Sequence, residues 1–223
     1  MPVCNTTSTG KGVNKSKPAL VASTSSVTKV PTPLLLFDMF EIKNIKLSIK
    51  IGPFNLNTVC NHLKYHNIEM DIKNNFIIIR NKFVYILFKS NSKIFNHINI
   101  TKIQSEIFIN ESITHILNIL KPLNIIYHSY KIDNITAILH NNNMNVNILK
   151  LANNLKSKFY IRLNKEKFPG IFIAFRNGLV IIFNSGKIVS VGCKSINSLK
   201  ELHAEVILHI NNGVQTLKET YYV

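Results

Sequence analysis

Acidic residues are scarce in this 223-residue chain, with 11 Asp and Glu against 27 Lys and Arg and a formal net charge of +16. That excess favours a polyanionic partner, either nucleic acid or an anionic membrane surface. Residues 1–33 hold four Lys and no acid, which leaves 27 − 4 = 23 basic and 11 acidic residues, or +12, in the remainder. The charge therefore belongs to the part that folds. Cysteine is sparser still: Cys4, Cys60 and Cys193 are widely separated, with no CxxC and no Cys/His pair at metal spacing. This fits a reducing compartment and excludes a disulfide framework; no metal or cofactor is expected. The eight His are scattered singly and read as surface or satisfied core residues. Long apolar runs are missing too, so neither a signal peptide nor a membrane span of about 18 residues is expected. No nucleophile and base, and no carboxylate dyad, stand at catalytic spacing, so the chain does not read as an enzyme.

What is present is enough hydrophobic content, 46%, for one sizeable core or two small ones. Residues 1–33, rich in Ser, Thr, Val, Lys and Pro, read as a flexible basic tail. The organising stretch is 168–194, FPGIFIAFRNGLVIIFNSGKIVSVGCK. It predicts a meander: Ile171 to Phe175, a turn at Arg176-Asn177-Gly178, Leu179 to Phe183, a second turn, then Lys187 to Val191. Asn-Gly between two apolar runs predicts a hairpin with both turn residues at positive φ. Bulky residues on alternate and intervening positions predict apolar side chains on both faces of this sheet. Helices can cover one face; the other needs a partner.

The first half of the chain reads as a worn copy of the second. Asn44 faces Asn134 at an offset of 134 − 44 = 90, and Phe54-Asn55-Leu56-Asn57 faces Met144-Asn145-Val146-Asn147 at the same offset. Ile79-Arg80-Asn81 faces Phe175-Arg176-Asn177 at 96, and Phe88 faces Phe183 at 95. Each half then runs strand, helix, three- or four-strand meander, helix. The helices are predicted near 57–65, 105–120, 147–156 and 198–209. In the last of these, Leu199, Leu202, Val206 and Ile210 form one apolar stripe.

Phe168-Pro169-Gly170, then Ile182-Phe183-Asn184-Ser185-Gly186-Lys187, then Val191-Gly192-Cys193-Lys194 resemble the second repeat of the TATA-box-binding protein family, F-P-G, I-F-x-S-G-K and T-G-A-K. The likeness extends upstream to Tyr130-Lys131-Ile132-Asp133-Asn134-Ile135. It implies an α+β fold in which two pseudo-symmetric repeats form a saddle, a curved antiparallel sheet with helices on its convex face. The segments would be the tail 1–33, a degenerate first repeat 34–123, a second repeat 124–212 and an extension 213–223.

The resemblance also implies a function: initiation of transcription in the nucleus, by binding the minor groove of AT-rich double-stranded promoter DNA and bending it with Phe wedges. Partners would be transcription factors IIB and IIA and the RNA polymerase machinery. On the family's pattern, Asn44 and Asn134 read the groove, and Phe168, Phe183 and Phe88 are wedges. Thr136, Leu179, Ile181, Val189 and Val191 line the groove surface, Lys187 is the turn lysine, and Glu166 matches a residue that meets factor IIB. Departures stand beside these matches. Lys46 and Thr136 replace Val, Val191 replaces Thr, and Ser90-Asn91-Ser92-Lys93 lengthens the first-half turn. The first-half equivalent of the F-P-G wedge is Ile72 if aligned on Arg80, or Phe76 if aligned on the wedge. A deeper kink is therefore expected at the second half. The alternative is an assembly platform without TATA-specific bending.

Overall fold

Strict alternation builds the central strand. In β1 (Phe40–Ile51), Ile45, Leu47, Ile49 and Ile51 are fully buried, while the intervening Lys46, Ser48 and Lys50 are half-exposed. Successive side chains of a strand point to opposite faces, so a period of two makes one face apolar and leaves the other polar. The computed structural model describes residues 40–88, 96–140, 146–164 and 166–218, with side chains as far as 210.

Nine further strands extend this one: β2 (Met70–Lys73), β3 (Phe76–Arg80), β4 (Val84–Phe88), β5 (Asn96–Ile103), β6 (Tyr127–Leu139), β7 (Tyr160–Leu163), β8 (Gly170–Phe175), β9 (Gly178–Phe183) and β10 (Ile188–Cys193). They form a single antiparallel sheet in the order β2-β3-β4-β5-β1-β6-β10-β9-β8-β7. The sheet is curved and unclosed, as the predicted saddle requires. Four helices pack on it: α1 (Leu56–Tyr65) against β3, α2 (Phe108–Leu120) against β5, α3 (Ile148–Leu155) against β7 and β8, and α4 (Ile196–Lys218) against β9 and β10. Asn55 caps α1, its Oδ1 accepting the Asn57 N–H at 2.8 Å, and Asn147 caps α3 by accepting from Lys150 N–H at 3.0 Å. The predicted stripe of α4 is core: Leu199, Leu202, Val206 and Ile210 are at most 3% exposed.

The β1–β6 register carries the repeat. Asn44 pairs with Thr136 and Lys46 with Asn134, so adding 90 to one member and subtracting it from the other turns each pair into the other. Ile45 pairs with Ile135, a pair that maps onto itself. A pseudo-twofold axis therefore runs between Ile45 and Ile135.

Three sequence expectations fail here. Phe175 pairs with Gly178, so Arg176 and Asn177 form the turn, and none of the three residues 176–178 has positive φ. Gly178 is needed for space instead: a Cβ there would lie 2.8 Å from the Val191 carbonyl oxygen and 3.1 Å from Leu202. The helix caps align at 147 − 55 = 92 rather than 90, because the Asn that can accept the first free N–H groups sets each start; Met144 and Asn145 of that anchor lie outside the described residues. Arg80 pairs with Val84 as Ala174 pairs with Leu179, giving 174 − 80 = 94 rather than the offset of 96 that matched Arg80 to Arg176. Arg80 sits at a strand end, whereas Arg176 is a turn residue.

Candidate nucleic-acid interface

The sheet face away from the helices carries the half-exposed set of each strand. At its centre, Asn44 and Asn134 occupy equivalent places and make the same bond. Asn44 Oδ1 accepts the Lys102 N–H at 2.8 Å, and Asn134 Oδ1 accepts the Gly192 N–H at 2.6 Å. Lys102 and Gly192, again 90 apart, both have left-handed backbone, φ 66° and 98°. Each carbonyl oxygen accepts from the neighbouring strand, and the Nδ2 of Asn134 donates to Thr136 Oγ1 at 3.2 Å.

Each end of the face bears a pair of phenylalanines. Phe168 and Phe183 have ring centroids 5.6 Å apart at 54°, and Phe76 and Phe88 have centroids 5.8 Å apart at 49°. The second pair decides between Ile72 and Phe76. Ile72 pairs with fully buried Ile77 and so belongs to the helix side of the edge strand, while Phe76 pairs directly with Phe88. The two ends reach this geometry differently. Phe76 occupies the strand position that Gly170 holds in the second half, opposite Phe183, and Phe168 reaches over Gly170 from the preceding loop. A Cβ on Gly170 would come within 2.8 Å of the Phe168 ring and 3.2 Å of the Phe183 ring. Phe88 keeps its register with Phe76 and is 37% exposed, so the lengthened turn has not displaced it; Ser90 to Lys93 themselves lie outside the described residues.

Between centre and ends, Leu179, Ile181, Val189 and Val191 line up on the open face as adjoining cross-strand pairs, Val189 with Ile181 and Val191 with Leu179. Thr136 lies beside Asn44 across the central ladder. Lys187 holds its ammonium 5.9 Å from the Phe183 centroid, and Glu166 is exposed two residues before Phe168. Sequence reasoning missed Phe172, which packs at 4.8 Å against Phe168, because a continuous apolar run hides which residues face outward. It also missed His97, which lies 90 before half-buried Lys187 and is exposed on the open side.

Acids are few on this face: Glu41 is paired with Lys43, and Asp133 is half-buried. Burial alone would raise the Asp133 carboxyl, but hydrogen bonds from Ser48 and Lys131 and the charges of Lys131 and Lys46 hold it below the usual carboxylate range. Arg80 and Asp71 pair at 3.0 Å on the first-half rim. On the opposite side of the sheet His203 is buried, stacked on Phe40 and 3.0 Å from Ser190 Oγ; burial depresses its pKa to about 3, so it is neutral. Among the described residues no cluster of His, Cys, Asp or Glu suits a metal, and no helix is long and apolar enough to cross a membrane.

The family model described as transcription factor TFIID, or TATA-binding protein (TBP), matches residues 129–212. The second half of the chain is a TBP domain. Among solved structures, Methanococcus jannaschii TBP superposes with a TM-score of 0.63 at 22% identity, covering 78% of this chain and 98% of that one. The TBP fold thus spans both halves, although the family model reaches only the second. The regulatory subunit of aspartate kinase from Thermus thermophilus covers 77% of this chain and 94% of its own, at 10% identity and a TM-score of 0.25, too weak a likeness to bear on fold or function. No curated protein matches the chain in sequence. The match to the TBP family thus lies in residues 129–212, and the likeness over both halves is one of fold.

Proposed function

We propose that the chain binds the minor groove of AT-rich, TATA-type promoter DNA through its open sheet face, bends it with the two Phe pairs, and nucleates preinitiation complex assembly in the nucleus. The observation that supports this most is the twofold placement of an aromatic pair at each end of a face that no described helix covers, with the two Asn at its centre. Inserted rings unstack base steps and kink the duplex, a mode of which TBP is the type example. The Asn Nδ2 groups suit adenine N3 and thymine O2, whereas a G·C pair would set the guanine amino group against them, donor to donor. Pyrimidine–purine steps such as TA unstack most cheaply and so favour the wedge sites. Transcription factors IIB and IIA and RNA polymerase are the partners in this reading, with exposed Glu166 on the loop before Phe168 as the contact for IIB. The alternative, a platform without TATA-specific bending, rested on a first half lacking its second Phe, and the pairing of Phe76 with Phe88 supports the bending reading over it.

The test is a titration of TATA and scrambled duplexes at several salt concentrations. Affinity should fall with a slope of about −0.9 in log K against log salt for each phosphate neutralised. Flat salt dependence, or equal affinity for both duplexes at every salt concentration, would remove the reading.

A further inference from the structure

A carboxylate is out of place in the middle of a surface that takes the minor groove, and Asp133 stands there. It lies two residues before Ile135 of the self-mapping pair, and a bulge puts it there: Lys46 pairs with Asn134 and Leu47 with Ile132, so Asp133 is an extra residue opposite β1. A bulge re-aims a side chain. Here the carboxylate accepts from the Ser48 hydroxyl, and Ser48 belongs to the open set because its neighbours Leu47 and Ile49 are fully buried on the other side. The twofold mate of Asp133 is the bulged Lys43, so the acid stands on one side of the axis only.

The charge of this acid is balanced while part of its acceptor capacity stays open. Ser48 bonds Oδ2, Lys131 approaches Oδ1 to 3.4 Å, and the Lys194 ammonium donates to the Asp133 main-chain carbonyl. With Lys46 also acting on it, the carboxyl is held ionised. A carboxylate accepts about four hydrogen bonds, so the two that Ser48 and Lys131 supply leave room for another donor. The side chain keeps 22% exposure through which that donor can reach it. On the minor-groove floor A·T pairs present only the acceptors adenine N3 and thymine O2, and guanine N2 is the donor that a G·C pair adds.

We infer that Asp133 accepts a hydrogen bond from the N2 amino group of a guanine, so that the open face selects one G·C pair near the middle of an otherwise AT-rich site. This rests on the minor-groove reading above and adds to it a base that the two Asn would not choose. Facing an A·T pair, the ionised acceptor meets another acceptor and is left desolvated and unpaired, a cost that the guanine amino group removes. Lys46, Lys131 and Lys194 offset the repulsion between this carboxylate and the phosphates on either side.

Inosine, which is guanine without the N2 amino group, is the probe. TATA-type duplexes carrying one G·C pair, stepped through the site with guanine in either strand, are titrated with the full chain beside the same set carrying I·C. At one central position guanine should bind on the order of tenfold tighter than inosine, while at the other positions inosine should bind tighter. Asp133→Leu, which keeps the bulk of the side chain and removes the acceptor, should bring the central position into line with the rest. Tighter or equal binding of inosine at every position overturns the inference. So does a guanine preference that survives in Asp133→Leu, even where that variant binds every duplex more weakly, since a uniform loss is what a purely structural contact would give. The comparison on the unaltered chain needs no variant and decides the matter should Asp133→Leu not fold. All of these outcomes leave the groove reading intact; equal, salt-independent binding of every duplex removes both.

Discussion

If the two Phe pairs are equivalent wedges, truncating either should cost the bend about equally. The sequence favoured a deeper second kink because Phe88 had no certain partner, and Phe76 supplies one at 5.8 Å against 5.6 Å for Phe168 and Phe183. Consider Phe76→Ala. The ring is half-buried, so its removal should cost roughly 1–2 kcal/mol of folding stability, less than the 3–5 typical of a fully buried Phe. On DNA the loss is larger in proportion, since each inserted wedge helps offset an unstacking cost of a few kcal/mol per step. A deficit of about 2 kcal/mol corresponds to roughly a 30-fold fall in affinity. End-to-end energy transfer on a labelled TATA duplex, with Phe76→Ala, Phe88→Ala, Phe168→Ala and Phe183→Ala measured in parallel, should give four comparable losses of bend. Full bending by Phe76→Ala beside strong loss in Phe168→Ala would refute the equivalence and restore the unequal kinks.

Gly170→Ala should impair bending more than folding, because the added methyl displaces the Phe168 and Phe183 rings; a circular-dichroism melt beside the energy-transfer assay separates the two. Gly192→Ala should destabilise by about 1–2 kcal/mol from its left-handed backbone alone, since no atom lies closer than 3.7 Å to the new methyl, and Lys102→Gly should stabilise by up to about 1 kcal/mol, both read as urea midpoints. His203 is protonated near its ordinary pKa of about 6.5 when unfolded but only near 3 when folded. The unfolded state therefore takes up the proton first, and this contribution is fully present above pH 6.5 and lost as pH falls from there towards 3. Between pH 7 and pH 5 it should remove roughly 2 kcal/mol, a loss His203→Leu should abolish in urea unfolding at the two pH values.

Much of the architecture was legible in the residues. The stripe from Leu199 to Ile210 and the offset between Asn44 and Asn134 led to two repeats of strands and helices, and the resemblance to the TBP family implied the saddle. The failures share a cause: they depend on which residues stand opposite one another across strands. Periodicity does not tell whether a glycine such as Gly178 serves a turn or a close approach, and Asn74-Asn75 gives no sign that Phe76 will take the place of a glycine ninety-four residues later. The contact of Ser48 with Asn99 and Asp133 was hidden for the same reason, since only strand pairing brings them together. Lys102 carries a left-handed conformation that its residue type disfavours, and only the bond to Asn44 accounts for it.

The self-mapping pair Ile45 and Ile135 also says what one half would do by itself. Cut from its neighbour, the second half would expose the whole free edge of β6, from Tyr127 to Leu139, as unpaired N–H and C=O groups beside apolar side chains. The cheapest way to satisfy that edge is a copy of the same strand, because the ladder that accepts β1 in reverse will accept β6 in reverse, with Ile135 opposite Ile135 and Asn134 opposite Thr136. The chain thus resembles a dimer whose two protomers are joined end to end, and the covalent link lets the halves differ: Ser48, Asn99 and Thr101 stand on one side where Ile138, Val189 and Val191 stand on the other, an asymmetry that no dimer of identical subunits could carry.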